Sequence, residues 1–255
     1  MILKEVQWQG YPAVEFEFDG VAATLVKPKV KPNGKWAYKT EYFGAFPSLE
    51  EELLGRGWHI AYNQNLNRWA EPSDVERKVR FIKLISEEFS LDERCVPIGM
   101  SCGGMYAVKL AALCPERIAV LYLDAPVINL LSCPCDMGIG KSGLYEEFYK
   151  LTGKTKSEML SYRDHPYDKK EILLSCGLPI VMVAGDSDTV VPYEENGKLI
   201  EDYYRKMGGR IAVHIKPGCG HHPHGYSEPS VIADEIEAFY LGQAQKLDTG
   251  ASERR

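Results

Sequence analysis

The sequence predicts an α/β fold with a mostly parallel central sheet and helices on both faces. Two patterns carry that prediction. After residue 36 short apolar runs alternate with helical patterns along the chain, the order of strand–helix units in a parallel sheet. Those runs are apolar throughout rather than in alternation, as strands covered on both faces are. Before them, Ala13–Phe18 and Val21–Val26 alternate and are joined by Asp19-Gly20, a strong hairpin signal.

Taken in order, the strands expected after the hairpin are Trp36–Tyr38, Trp58–Tyr62, Cys95–Ile98, Ile118–Leu123, Ile180–Ala184 and Ile211–Ile215. Helical patterns occupy Leu49–Leu54, Val75–Phe89, Tyr106–Leu113, Glu195–Met207 and Val231–Tyr240. The interval Val127–Leu178 breaks the rhythm and far exceeds the usual connection of about 2–6 residues. It is expected to be a cap inserted over a site, with Tyr145, Phe148, Tyr149 and Tyr162 inward and Lys154, Lys156, Lys169 and Lys170 in water. Residues 246–255 are polar and expected to be frayed. The 255 residues therefore make one domain, 1–255, with a cap at about 127–178.

Composition narrows the function. With 45% hydrophobic and 26% charged residues the chain is ordinary globular protein. A formal net charge of −6, without a basic stripe, argues against nucleic acid or an anionic membrane as partner. No apolar run approaches the roughly 18 residues of a membrane span. The N-terminus lacks the basic start and unbroken apolar stretch of a signal peptide. Seven cysteines without framework spacing are expected as free thiols, and a cytoplasmic location is the default.

Gly99-Met100-Ser101-Cys102-Gly103 matches G-x-S-x-G between an expected strand and an expected helix. A nucleophilic serine needs a tight strand-to-helix turn that projects its hydroxyl, and side chains at the two glycines would collide with neighbouring backbone. The plain alternative is a Gly-rich turn that only packs a helix on a sheet. Cys102 is a rival nucleophile by type, but one residue past the turn its N–H is expected to face an oxyanion instead.

Serine is a poor nucleophile unless an imidazole takes its proton and a carboxylate holds that imidazole. Downstream, the strand Ile180–Ala184 leads into Gly185-Asp186-Ser187-Asp188-Thr189-Val190-Val191-Pro192. The strand Ile211–Ile215 leads into Pro217-Gly218-Cys219-Gly220-His221-His222-Pro223-His224. With the serine turn, these two loops resemble the α/β-hydrolase superfamily over roughly residues 35–242. The resemblance implies Ser101 as nucleophile, Asp188 as acid and His221 as base, with Asp186 shaping its turn. Asp124 is the rival acid, otherwise a strand-end residue supporting the cap. His222 and His224 are expected to brace the histidine loop. Metal binding is not expected, on the ground that such close neighbours do not converge on one ion. His59 and His214 are expected in strands and His165 exposed in the cap. The second oxyanion donor falls between Thr40 and Phe43, with Glu41 chosen.

The expected activity is hydrolysis of a carboxylic ester through an acyl-enzyme, without cofactor. A peptidase or amidase of the same fold, or a non-catalytic binding protein, is the alternative. Trp36, Tyr38, Tyr42, Phe43, Trp69 and Tyr193 suggest an aromatic mouth suited to a sugar or aryl ester. Peptidases of this superfamily often carry a propeller domain, for which 255 residues leave no room.

Overall fold

A computed structural model describes the backbone of residues 2–252 and the side chains up to residue 242. It is built on a nine-stranded sheet. β1 (Lys4–Trp8), β2 (Tyr11–Phe18) and β3 (Val21–Val26) form an antiparallel meander. Its turns place Gln9-Gly10 and Asp19-Gly20 at positive φ, as tight hairpins of matching twist require. β4 (Trp36–Lys39), β5 (His59–Asn63), β6 (Val96–Met100), β7 (Leu121–Asp124), β8 (Ile180–Gly185) and β9 (Ile211–Lys216) run parallel, in the spatial order β5-β4-β6-β7-β8-β9. β3 joins the two parts by pairing antiparallel with β5. β1 was not expected from the sequence.

Residues along the parallel strands alternate between two cores, as the period of two requires. Trp36, Tyr38, Leu121, Leu123, Ile180 and Met182 pack on one face against α2 (Pro72–Glu88), α3 (Gly103–Leu113) and α7 (Gly197–Met207). Ala37, Ile60, Val96, Ile98, Tyr122, Val181 and Val183 pack on the other against α1 (Ser48–Gly55) and α8 (Pro229–Ser252). Of the expected frayed tail, 246–252 continue the α8 backbone and 253–255 lie outside the described residues. Among the described residues no helix is long and apolar enough to cross a membrane.

The long interval between β7 and β8 folds into α4 (Tyr145–Thr152), α5 (Lys156–Ser161), a short 3-10 turn (Pro166–Lys169) and α6 (Lys170–Ser175). Phe148, Met159 and Leu173 from it are buried in the first core. Tyr149, expected inward, is instead exposed. The four lysines are half-buried and each meets a partner: Lys154 pairs with Glu71, Lys169 with Asp164, Lys156 lies over Tyr145 and Lys170 over Tyr167. His165 is buried rather than exposed, and its Nδ1 accepts the Leu130 N–H at 3.1 Å.

Candidate active site

Ser101 sits between β6 and α3 at φ 51°, a conformation that L-residues tolerate only where the surroundings impose it. Its N–H donates to the Asp124 carbonyl and its carbonyl accepts from Val127, both at 2.9 Å. The glycines around it have measurable reasons. A Cβ on Gly99 would lie 2.7 Å from the Ala107 Cβ, and one on Gly104 would lie 2.5 Å from the Pro126 Cβ. At Gly103 the space is merely tight, 3.1 Å from the Thr40 Oγ1.

Three loops at the C-terminal ends of the strands bring the other groups to it. His221 Nε2 is 3.0 Å from Ser101 Oγ, and His221 Nδ1 is 2.7 Å from Asp188 Oδ2. The second Asp188 oxygen accepts the Val190 and Val191 N–H groups at 2.8 Å each. Burial alone would raise the Asp188 carboxyl, but those hydrogen bonds, led by that of His221, outweigh it and hold the carboxyl below its ordinary value. The geometry is that of a Ser-His-Asp triad. Asp188, not Asp124, faces the imidazole.

Asp186, expected to shape its own turn, reaches beyond it. Its Oδ1 accepts the Gly218 N–H at 2.7 Å and so ties the acid loop to the histidine loop. The two loops touch closely enough that a Cβ on Gly185 would lie 2.2 Å from the Cys219 carbonyl. Asp124 departs from expectation. Its Oδ2 accepts the Gly225 N–H at 2.6 Å and its Oδ1 lies 3.3 Å from His224 Nδ1, so it braces the histidine loop rather than the cap. Lys216 Nζ donates to the carbonyls of Pro223 and Gly225. Held from both sides, the loop curls. Against the expectation that such close neighbours do not converge, ligand atoms of His221, His222 and His224 all lie within 4.8 Å of one another.

Cys102 is buried, and burial pushes its thiol up to about 11, which keeps it a neutral thiol rather than a nucleophile. The backbone N–H groups of Cys102 and Glu41 meet no acceptor among the described residues. The loop carrying Glu41 is fixed beside the serine turn. Thr40 Oγ1 donates to the carbonyls of Ile98 and Gly103, and Asn65 donates to the Thr40 carbonyl and the Glu41 carboxylate.

Beside Ser101 lies a cavity of about 300 Å³ lined by Tyr42, Phe46, Arg68, Leu144, Val190 and Val191 among others. Among the described residues no carboxylate lines it. The guanidinium that lines it, that of Arg68, is held by both oxygens of Glu147 on α4 at 2.9 and 3.1 Å. Of the six aromatics expected at the mouth only Tyr42 lines the cavity. Trp36, Tyr38, Trp69 and Tyr193 are buried, and Phe43 is stacked between Trp8 and Tyr62. Phe46, which does line it, gave no signal beyond being aromatic.

The model of the prolyl oligopeptidase family matches residues 52–246 of this chain. The chain belongs to the prolyl oligopeptidase family. By that membership it has the α/β-hydrolase fold. Solved structures agree on the fold. A puromycin-hydrolyzing peptidase of Mycobacterium tuberculosis is 13% identical with a TM-score of 0.67, covering 95% of this chain and 39% of its own. The acylaminoacyl peptidase of Pyrococcus horikoshii is 14% identical with a TM-score of 0.65, covering 86% of this chain and 38% of its own. Est1E from Butyrivibrio proteoclasticus is 15% identical with a TM-score of 0.59, and the two match over 91% and 99% of their lengths. This prolyl oligopeptidase relative thus spans less than two fifths of the two peptidases, and nearly all of Est1E.

Proposed function

We infer that the protein cleaves an acyl bond, of peptide or amide type in the first place, through an acyl-enzyme on Ser101. The observation that carries the reading is the Ser101–His221–Asp188 chain of hydrogen bonds at 3.0 and 2.7 Å. His221 takes the Ser101 proton as the hydroxyl attacks the carbonyl carbon. The oxyanion is held by the N–H groups of Cys102 and Glu41, donors fixed in place before charge develops. His221 then gives its proton to the leaving nitrogen, the C–N bond breaks, and water repeats the sequence to free the acid and Ser101. Family membership and the peptidase neighbours support the amide bond.

Ester cleavage, the expectation from sequence, stands as the second reading. The same acyl-enzyme serves an ester, and among the described residues no carboxylate lines the cavity beside Ser101 to bind a free peptide ammonium. That lining favours a blocked, largely apolar acyl part under either reading. Residues 133–144 contribute Cys133, Ser142 and Leu144 to the lining, which supports a role for the inserted segment in choosing the acyl group. The test is a panel of N-acetyl and free-amine aminoacyl p-nitroanilides beside p-nitrophenyl esters. The reading expects turnover of blocked anilides and loss of all turnover in Ser101→Ala. Turnover of esters alone would move the assignment to ester hydrolase. Turnover that survives Ser101→Ala would remove both readings.

A further inference from the structure

The histidine loop holds more imidazole than a triad uses. The rings of His221, His222 and His224 form a triangle with centroids 4.7–5.0 Å apart, each pair near perpendicular. His222 and His224 make no hydrogen bond to any described residue, although the His224 side chain is only 2% exposed. The cluster opens into the cavity that contains Ser101. We propose that these three histidines are a Zn²⁺ site whose occupation blocks the triad.

Three features of the surroundings support the choice of ion. The donors are imidazoles without a carboxylate among them, a set that suits borderline ions such as Zn²⁺ and not Ca²⁺ or Mg²⁺. A metal-binding imidazole usually turns its other nitrogen to a carboxylate, which fixes the ring and raises its basicity. One of the three rings already has this support. His221 Nδ1 is hydrogen-bonded to Asp188 at 2.7 Å, which leaves its Nε2 for an ion, and His224 Nδ1 lies 3.3 Å from the Asp124 carboxylate without a hydrogen bond to it. Phe46 backs the cluster, stacked on His222 at 5.5 Å and edge-on to His224 at 5.3 Å.

Tetrahedral Zn–N bonds of about 2.0–2.1 Å put nitrogens roughly 3.4 Å apart. From a spread within 4.8 Å, closure needs shifts of about an ångström, and exposed His222 is free to make them. The consequence for the triad follows from one lone pair. The His221 Nε2 lone pair that accepts the Ser101 proton is the one the ion takes. No bond is made or broken apart from coordination, so removing the ion restores the base. The binding half of the proposal is independent of any activity; the blocking half rests on the hydrolase reading above.

The experiment uses tag-free protein and the metal alone. Zn²⁺ is titrated by calorimetry into the wild type, Ser101→Ala, His222→Ala and a Cys176→Ser/Cys219→Ser double variant. Co²⁺ spectra report the ligands, because thiolate ligation adds a charge-transfer band that imidazole does not. The proposal expects one ion per chain in the wild type, Ser101→Ala and the cysteine variant, no thiolate band, and at least hundredfold weaker binding in His222→Ala. Fluorophosphonate labelling of the wild type should slow at least tenfold at saturating Zn²⁺ and recover with EDTA. In His222→Ala the ratio to its own zinc-free rate should stay near one at the same Zn²⁺. His222 is exposed, so its truncation leaves the core intact. No saturable binding, binding unchanged in His222→Ala, or binding lost with the cysteines overturns the site. If Zn²⁺ binds as expected while labelling is unaffected, the blocking half is overturned. A protein that neither labels nor turns over would sink the hydrolase reading and leave the calorimetry to decide the site.

Discussion

Replacing Asp188 by Asn is the most informative single change, because the structure dictates how the amide must orient. One Asp188 oxygen accepts two backbone N–H groups, from Val190 and Val191. In Asp188→Asn that position must stay an oxygen, since an NH₂ there would face two donors. The amide nitrogen is thereby forced to the Oδ2 position, which faces His221 Nδ1. An N–H there requires a bare Nδ1, so the imidazole proton moves to Nε2 and points at Ser101. The base can then no longer accept the serine proton. Loss of kcat is expected on the order of 10⁴-fold, or about 5.5 kcal/mol at 1.36 kcal/mol per decade. Because the two loop hydrogen bonds survive, thermal unfolding should move by only a few degrees. The assay is single-turnover fluorophosphonate labelling beside substrate turnover, with circular dichroism to check the fold. Asp124→Asn is the internal comparison: it keeps an acceptor for Gly225 and should cost less than tenfold. If Asp188→Asn keeps more than a tenth of the activity, or Asp124→Asn loses as much, the assignment of the acid is wrong.

Three further outcomes follow from packing and charge. Gly104→Ala places a Cβ 2.5 Å from that of Pro126 and 2.9 Å from the Pro126 Cα, and should cost several kcal/mol of stability by urea melt; Gly220→Ala, with only the Ser187 carbonyl at 3.8 Å, should be near neutral. Lys78 is fully buried, and burial lowers its ammonium from 10.5 to about 7. Between those values the unfolded chain binds the extra proton, so stability rises with pH from about 7 to 10.5. Lys78→Met should flatten that rise and add a few kcal/mol below pH 7; a wild-type profile already flat there would refute it. Leu144→Trp narrows the cavity beside Ser101 and should raise KM for bulky acyl groups while acetyl substrates change less than threefold. Equal effects on both would remove Leu144 and its segment from specificity.

Much of this was legible in the sequence because its signals are local. Apolar runs of β-branched residues mark the parallel strands to within one to three residues, and the three loops that carry Ser101, Asp188 and His221 each follow such a run. β1 was missed because Lys4-Glu5-Val6-Gln7-Trp8 is mostly exposed and has no apolar run. The aromatics misled since composition says nothing about which face a ring takes: Trp36 and Tyr38 point into the core from β4. Phe46 reaches the cavity from a loop whose path the sequence does not encode in any period. The bracing of the histidine loop by Asp124, through the Gly225 N–H, joins residues 101 positions apart. No short-range spacing reports that pairing, and with it went the convergence of the three histidines.

The central claim is that Ser101 is the group that forms the covalent intermediate. The direct measurement is intact mass and peptide mapping after reaction with a fluorophosphonate. The account predicts one adduct per chain, on the peptide containing Gly99–Gly103 and on Ser101 within it, and no adduct in Ser101→Ala. An adduct on Cys102 or another residue, or none in folded wild-type protein, would contradict it.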